Sequence, residues 1–200
     1  MQNLGTHAPR FDREIHIDAH VAALPAGATA KGLFLRDPLQ RVATAAPGTD
    51  LFQLAKVPKR RILPFFDYPY DELMRLLHAA AGVLWPKLPR GEGLRRLGHG
   101  AYEALIGHQV GRVIFMVVGN DFSRVAQVGR RGWQVSVSFG KVDYQELGPG
   151  HGAYFFKDFP AFLETYQVGV LEGAMRVFRV NGAVSVKLDG LGDGVIEMKW

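Results

Sequence analysis

The end of the chain constrains its fold more than any other part. Residues 166–178 read as a helix, 184–188 as a strand and 195–200 as a second strand. Asn181-Gly182 turns the chain from helix into sheet. The helix carries Gly169 and Gly173, four residues apart, so one bare stripe of its surface can approach another backbone closely. That stripe is expected to lie on the helix's own sheet or on a second copy of the chain in a homodimer.

Strand signals also precede this helix. Trp133, Val135, Val137 and Phe139 alternate with Gln134, Ser136 and Ser138, the period of a half-buried antiparallel strand. Residues 142–147 and 153–157 read as its neighbours, joined by Gly148-Pro149-Gly150-His151-Gly152. Further upstream the period is helical. Pro69 opens a helix that Pro86 closes, with Asp71 and Glu72 in its first turn and a stripe of Leu73, Leu76, Leu77, Ala80, Ala81 and Leu84. Leu94, Leu97, Ala101, Tyr102 and Leu105 form a second stripe, and Gly107 and Gly111 mark a bend. Asp121 caps a short helix that Gly129 ends, and Asp37-Pro38 reads as N-cap and first residue of a helix to about Thr44. Helices followed by a strand–helix–strand block make an α+β fold. We expect one domain over 28–200, with a helical N-terminal lobe (about 28–130) and a sheet lobe (about 131–200) whose antiparallel sheet is crossed by the C-terminal helix. Residues 1–27 form an arm, loose over 1–10, with a possible edge strand at 14–21.

Charge and composition narrow the chemistry. The net charge of +5 is uneven: residues 1–100 hold 14 Lys/Arg against 9 Asp/Glu, and residues 101–200 hold 10 against 10. Lys59-Arg60-Arg61 and Arg90, Arg95 and Arg96 contribute to a basic first half that could meet a protein partner, an anionic membrane or nucleic acid, although no nucleic-acid motif accompanies it. The chain has no cysteine, which excludes disulfides, thiolate metal sites and cysteine nucleophiles. It shows no secretion signal, and its longest apolar run, 113–118, is too short to span a bilayer, so a cytoplasmic protein is expected.

Candidate chemistry is sparse. On a strand, His16, Asp18 and His20 would share one face with Glu14 and could bind a divalent metal, unless they are the solvated face of an edge strand. His78 and His108 suit structural roles, whereas His99 and His151 adjoin glycines and are expected to be exposed. There is no phosphate-binding loop and no nucleophile elbow. Trp85, Tyr102, Phe115, Trp133, Phe139, Tyr154, Phe156 and Tyr166 come from both lobes. They could line an apolar pocket between the lobes, with Arg112 as a polar anchor, or simply pack the core.

A combination of segments carries a resemblance: residues 66–73 (FDYPYDEL), Leu94-Arg95-Arg96-Leu97-Gly98, Gly111-Arg112, Glu146-Leu147-Gly148-Pro149, residues 169–174 (GVLEGA) and the closing Ile196-Glu197-Met198-Lys199-Trp200. Together they resemble a paralogous family of uncharacterised proteins found mainly in myxobacteria. That family is in turn distantly similar to haem–nitric oxide/oxygen binding domains, four-vinyl-reductase-type domains and TRAPP tethering subunits. The resemblance implies a helical lobe, an α/β lobe and an apolar pocket. It also supplies a test for haem. The haem-binding relatives place a proximal His in the helix before the first sheet strand and a Tyr-x-Ser-x-Arg motif before the last helix. Residues 121–129 contain no His, and the matching stretch is Tyr154-Phe155-Phe156-Lys157-Asp158, where Ser and Arg are missing. No haem or other cofactor is therefore expected.

The leading expectation is a non-enzymatic sensory or signalling domain that binds an apolar small molecule or lipid between its lobes. The second is an adaptor without a ligand. The third is a metal-dependent enzyme using His16, Asp18 and His20.

Overall fold

A computed structural model of the chain describes residues 4–107 and 121–200. The helical part contains α1 (Ile17–Ala22), α2 (Gly32–Ala45), α3 (Leu51–Ala55), α4 (Tyr70–Leu84) and α5 (Arg90–Gly107), with a two-stranded ribbon of β1 (Thr29–Lys31) and β2 (Asp67–Pro69). Then come α6 (Phe122–Ser136), β3 (Lys141–Gly148), β4 (His151–Lys157), a π-helical turn (Leu163–Gln167) running into α7 (Val168–Val177), β5 (Ala183–Leu188) and β6 (Gly194–Lys199). The last four strands form one antiparallel sheet in the order β3-β4-β6-β5. This is the expected α+β architecture.

The best-patterned helices sit where their stripes predict. In α4, Leu73, Leu76, Leu77, Ala80 and Ala81 are buried, and in α5 so are Leu94, Leu97 and Ala101. His108, Gly111, Arg112, Phe115 and the run 113–118 lie outside the described residues, as does the side chain of Leu105.

Three elements differ from expectation. Residues 14–21 are not a strand: α1 covers Ile17–Ala22, and the half-buried positions Ile17, His20, Val21 and Leu24 follow helical spacing. Helix α2 starts before Asp37, because Gly32 N–H and Leu33 N–H find acceptors in Phe66 O (2.9 Å) and Pro64 O (2.8 Å). Asp37 does not cap; its carboxylate accepts from Arg41 Nε at 2.9 Å. Helix α6 does not stop at Gly129 but carries Trp133 through Ser136, so the expected strand at 133–139 is absent. Phe122, Val125, Ala126, Gly129 and Trp133 recur at helical spacing, and continuing the helix keeps Trp133 on that inward face. Only Val137, just past the helix, makes a bridge, to Ala30.

The glycine stripe of α7 packs on α5 rather than on the sheet. A Cβ on Gly169 would lie 2.1 Å from Arg95 O of α5, one on Gly173 2.4 Å from His99 O, and one on Gly98 of α5 2.2 Å from Tyr166 O. Backbone touches backbone along this crossing, which only residues without side chains permit.

The N-terminal arm is also placed. His7 exchanges backbone hydrogen bonds with Val186 on the edge strand β5 (2.9 and 2.8 Å). Arg10 N–H donates to Glu164 Oε1 at 2.9 Å, so the arm is tied at both the sheet and the π-turn.

Candidate functional site

One face of the sheet lies under α6. Strand pairing sets Tyr144 opposite Tyr154, Tyr154 opposite Ile196, and Ile196 opposite Val186, all on that face. From α6, Trp133 packs on Tyr154 (5.0 Å between ring centroids) and edge-on to Phe156 (5.7 Å), while Tyr144 sits 5.0 Å from Tyr154. The Tyr154 hydroxyl donates to Ala126 O of α6, and a Cβ on Gly129 would lie 2.2 Å from that hydroxyl. Gly129 thus lets helix and strand close, rather than ending the helix. Burial pushes the Tyr154 phenol well above its ordinary pKa, and burial with the nearby Glu146 charge pushes Tyr144 up to about 12.

A polar link leaves this layer. Trp133 Nε1–H donates to Gln167 Oε1 at 3.0 Å, and Gln167 Nε2–H donates to Ala161 O at 3.2 Å. Gln167 is buried at the end of the π-turn, just before α7, and Phe162 at the turn's entry is in the left-handed region (φ 56°). The same turn buries Thr165, whose hydroxyl has no hydrogen-bond partner among the described residues.

The nine residues expected to line a pocket are only partly together. Trp133, Tyr154 and Phe156 touch, and Phe139 joins them through Phe159, which lies 5.4 Å from Phe156 and stacks on Phe139 at 5.2 Å. Tyr102 instead meets Phe178 at the other end of α6, where Phe178 and Trp200 pack on Phe122. Tyr166 is buried, which together with the nearby Asp37 charge pushes its phenol well above the ordinary pKa, and Trp85 lies under the Arg96 guanidinium. Arg112 and Phe115 lie outside the described residues. Sequence reasoning missed Tyr144, Phe159 and Gln167. Tyr144 is legible as the inward partner of Tyr154 once the hairpin register is set, whereas nothing local marks Gln167.

An open groove elsewhere on the molecule has a different character. It has a volume of about 400 Å³ and lies beside α5, lined by Arg41, Trp85, Arg96, Gly100, Glu103 and Arg176 among others. Its charges are mutually paired. Glu172 receives Arg95 Nε (2.6 Å) and His99 Nε2 (2.7 Å), Glu92 holds Arg96 (2.9 Å), and Glu103 holds Arg176 (3.0 Å). Burial pushes the Glu172 pKa up, but the His99 and Arg95 hydrogen bonds outweigh it and hold the carboxyl below its ordinary value. His99 and His151 are not free surface residues as expected: His151 is buried, with Nε2 2.6 Å from Glu197 Oε1. Glu197 also accepts from the Thr6 hydroxyl of the arm.

The expected metal face is not assembled. The His16 side chain is exposed and reaches only Glu14 (3.9 Å); Asp18 pairs with Arg75 (3.4 Å); His20 turns inward, with Nδ1 3.1 Å from Pro160 O and its ring on Phe162. The helix carries Asp18 round to a different side from His20, and His16 stands at the non-helical N-cap, so the three do not share the face that a strand would have given them. Among the described residues, no group of three His, Cys, Asp or Glu side chains could hold a metal ion. No described helix is long and apolar enough to cross a membrane.

The sequence profile described as "Protein of unknown function (DUF2378)" matches residues 24–200. No curated protein matches the chain. In fold, the chain is similar to solved H-NOX proteins. One from S. oneidensis, a triple mutant in the Fe(II) ligation state, is 17% identical over 84% of this chain and 95% of its own, with a TM-score of 0.64. The H-NOX domain from Shewanella oneidensis in the Fe(II)CO ligation state is 16% identical, covers 84% of this chain and 97% of its own, and scores 0.65. An oxygen-binding H-NOX domain related to soluble guanylate cyclases is 13% identical, covers 84% and 94%, and scores 0.63. At such identities the likeness establishes a shared fold.

Proposed function

Since this chain belongs to the DUF2378 family and shares the H-NOX fold, we propose that it is a sensory ligand-binding domain whose aromatic layer under α6 receives an apolar small molecule or lipid chain. The Trp133–Gln167 link carries this reading. A ligand entering between α6 and the sheet must displace Trp133, which would leave the buried Gln167 amide without its indole partner. Gln167 ends the π-turn that starts α7, so the disturbance reaches α7 and, through the glycine crossing, α5. A ligand that binds the displaced arrangement more tightly shifts the population toward it. Arg112 and Phe115 remain proposed members of the lining. No catalytic step belongs to this reading, and a cytoplasmic location accords with it.

Among the described residues, those at the positions the resemblance assigns to haem do not fit it. Helix α6 offers no imidazole along Phe122–Ser136. Tyr154 spends its hydroxyl on Ala126 O, Phe156 is packed among rings, and Asp158 presents a carboxylate where a propionate clamp needs a cation. The homodimer loses one support, because the glycine stripe is used within the chain.

Native mass spectrometry of protein purified from its source organism tests the proposal. The expected result is a stoichiometric small-molecule adduct that Trp133→Ala changes in occupancy. A chain with no adduct, a single stoichiometric protein partner and no thermal shift with any apolar compound would favour the adaptor instead. Incubation with hemin is expected to give no absorption band of a histidine-ligated haem.

A further inference from the structure

The loop between α3 and β2 combines features that neither the aromatic layer nor the paired groove uses. Residues 56–66 contain Lys56, Lys59, Arg60 and Arg61 and no acid. Residues 51–100 hold nine Lys/Arg and four Asp/Glu, an excess that equals the whole net positive charge of the chain. Phe65 and Phe66 end this loop with 56% and 63% of their surface exposed, the two largest side chains so placed among the described residues.

The exposure is built rather than incidental. Val57 and Ile62 are buried and anchor the loop. Leu63 N–H donates to the Tyr68 hydroxyl at 2.8 Å, and the carbonyls of Pro64 and Phe66 cap the first N–H groups of α2. Gly32 is shaped to this loop, since a Cβ there would meet Leu63 O at 2.2 Å. The backbone is therefore held on both sides of Phe65 while two phenyl rings are presented to solvent. Such a fixed apolar pair is unusual on a surface that binds nothing.

The neighbouring charges are sorted. Asp50 is occupied by Lys59, Asp67 by Lys31, and Glu72 by Arg60, which also lies over the Tyr68 ring. Lys56, Arg61 and Arg36, the last on α2 one turn beyond Gly32, have no acidic partner among the described residues and are exposed. Asp50, Asp67 and Glu72 are thus neutralised; Asp71, in the first turn of α4, is the acid near the loop that keeps its charge, against three unpaired cations.

We propose that this loop docks the protein on an anionic lipid membrane surface. Phe65 and Phe66 enter the boundary between headgroups and acyl chains, and Arg61, Lys56 and Arg36 face the anionic headgroups. An apolar pair flanked by cations is what such a surface recognises. A nucleic-acid strand would instead need a basic track with rings spaced along it, whereas here the two rings are adjacent and the loop's cations lie to one side in sequence.

The test is co-sedimentation of the full chain with vesicles of phosphatidylcholine alone, or containing about a quarter phosphatidylglycerol. The expected result is binding to the anionic vesicles only, weakened by salt. Phe65→Ser with Phe66→Ser should lose binding at least about tenfold, and Arg61→Glu with Arg36→Glu more than about fivefold, given that each cation near an anionic surface contributes roughly that factor. Circular-dichroism melting reports whether each variant folds, and the arginine variant carries the test if the phenylalanine variant does not. Absence of sedimentation with anionic vesicles at low salt overturns the proposal. So does binding unaffected by both variants, or binding to single-stranded oligonucleotide that competes with vesicles.

Discussion

Two layers of this molecule are packed by opposite means. Between α5 and α7 the contact is backbone on backbone, through Gly98, Gly169 and Gly173, with Glu172 held by Arg95 and His99 beside it. Between α6 and the sheet it is ring on ring, through Trp133, Tyr144, Tyr154 and Phe156, with hydrogen bonds at Ala126 and Gln167. A backbone crossing has no rotamers and cannot repack, whereas aromatic side chains can swing between staggered wells. Alternative rotamers are therefore open in principle to the layer over the sheet and not to the helical crossing. That is the division a ligand-responsive domain requires.

The most severe way to break the comparison is to put bulk into the crossing. Gly169→Val places a branched side chain on Arg95 O. We expect a loss of about 3 kcal/mol or more, or failure to fold, seen as a melting temperature lower by roughly 10 °C. A melt within a couple of degrees of the unaltered chain would show that the crossing can spread after all. The ring layer should respond in a graded way. Trp133→Ala is expected to cost about 3 kcal/mol, and Trp133→Phe about 1 kcal/mol, because the latter keeps a ring and loses the Gln167 bond. Denaturant titration separates the two.

Helix α6 offers a sharper internal contrast. Gly129 faces Tyr154, whereas a Cβ on Gly132 would meet nothing within 4 Å. Gly132→Ala should therefore stabilise by about 0.5–1 kcal/mol, and Gly129→Ala should destabilise. Equal effects at the two positions would remove the case for close helix–strand contact.

The smallest expected effect is in pH. Burial holds His20 and His78 below the ordinary imidazole pKa. An unfolded chain then binds protons more readily than the folded one. Stability is complete above about pH 6.5 and falls as pH drops through the depressed folded values. His20→Gln should flatten that slope in melts recorded between neutral and mildly acidic pH. Glu172 is held low mainly by His99 and Arg95, against its burial, so its contribution is present above the ordinary carboxyl pKa and lost on further acidification.

Much of the fold was legible in particular residues. Pro69, the leucine stripe and Pro86 bracket α4, and Gly-rich turns bracket the strands at the end of the chain. The second half of α6 was not legible, because Trp133 and Val137 satisfy a strand alternation and a four-residue helical step equally well. At α1 the apolar positions Ile15, Ile17 and Val21 suggested a strand, and the half-burial of His20 that favours a helix depends on Phe162, far away in sequence. Of the site, aromatic richness was visible but not which rings meet. Tyr102 and Trp133 lie at opposite ends of α6's inward surroundings because of how helix and sheet cross.

Periodicity, caps and residue types are local properties, and they suffice for helices ahead of a terminal antiparallel sheet, for the family, and for the lack of thiol chemistry and of an imidazole in α6. The tertiary structure alone decided the partner of the glycine stripe, the scattering of His16, Asp18 and His20, and the joining of Trp133 to Gln167. Those outcomes depend on contacts between residues distant in the chain, where burial and backbone satisfaction outweigh local preferences of about a few tenths of a kcal/mol per residue.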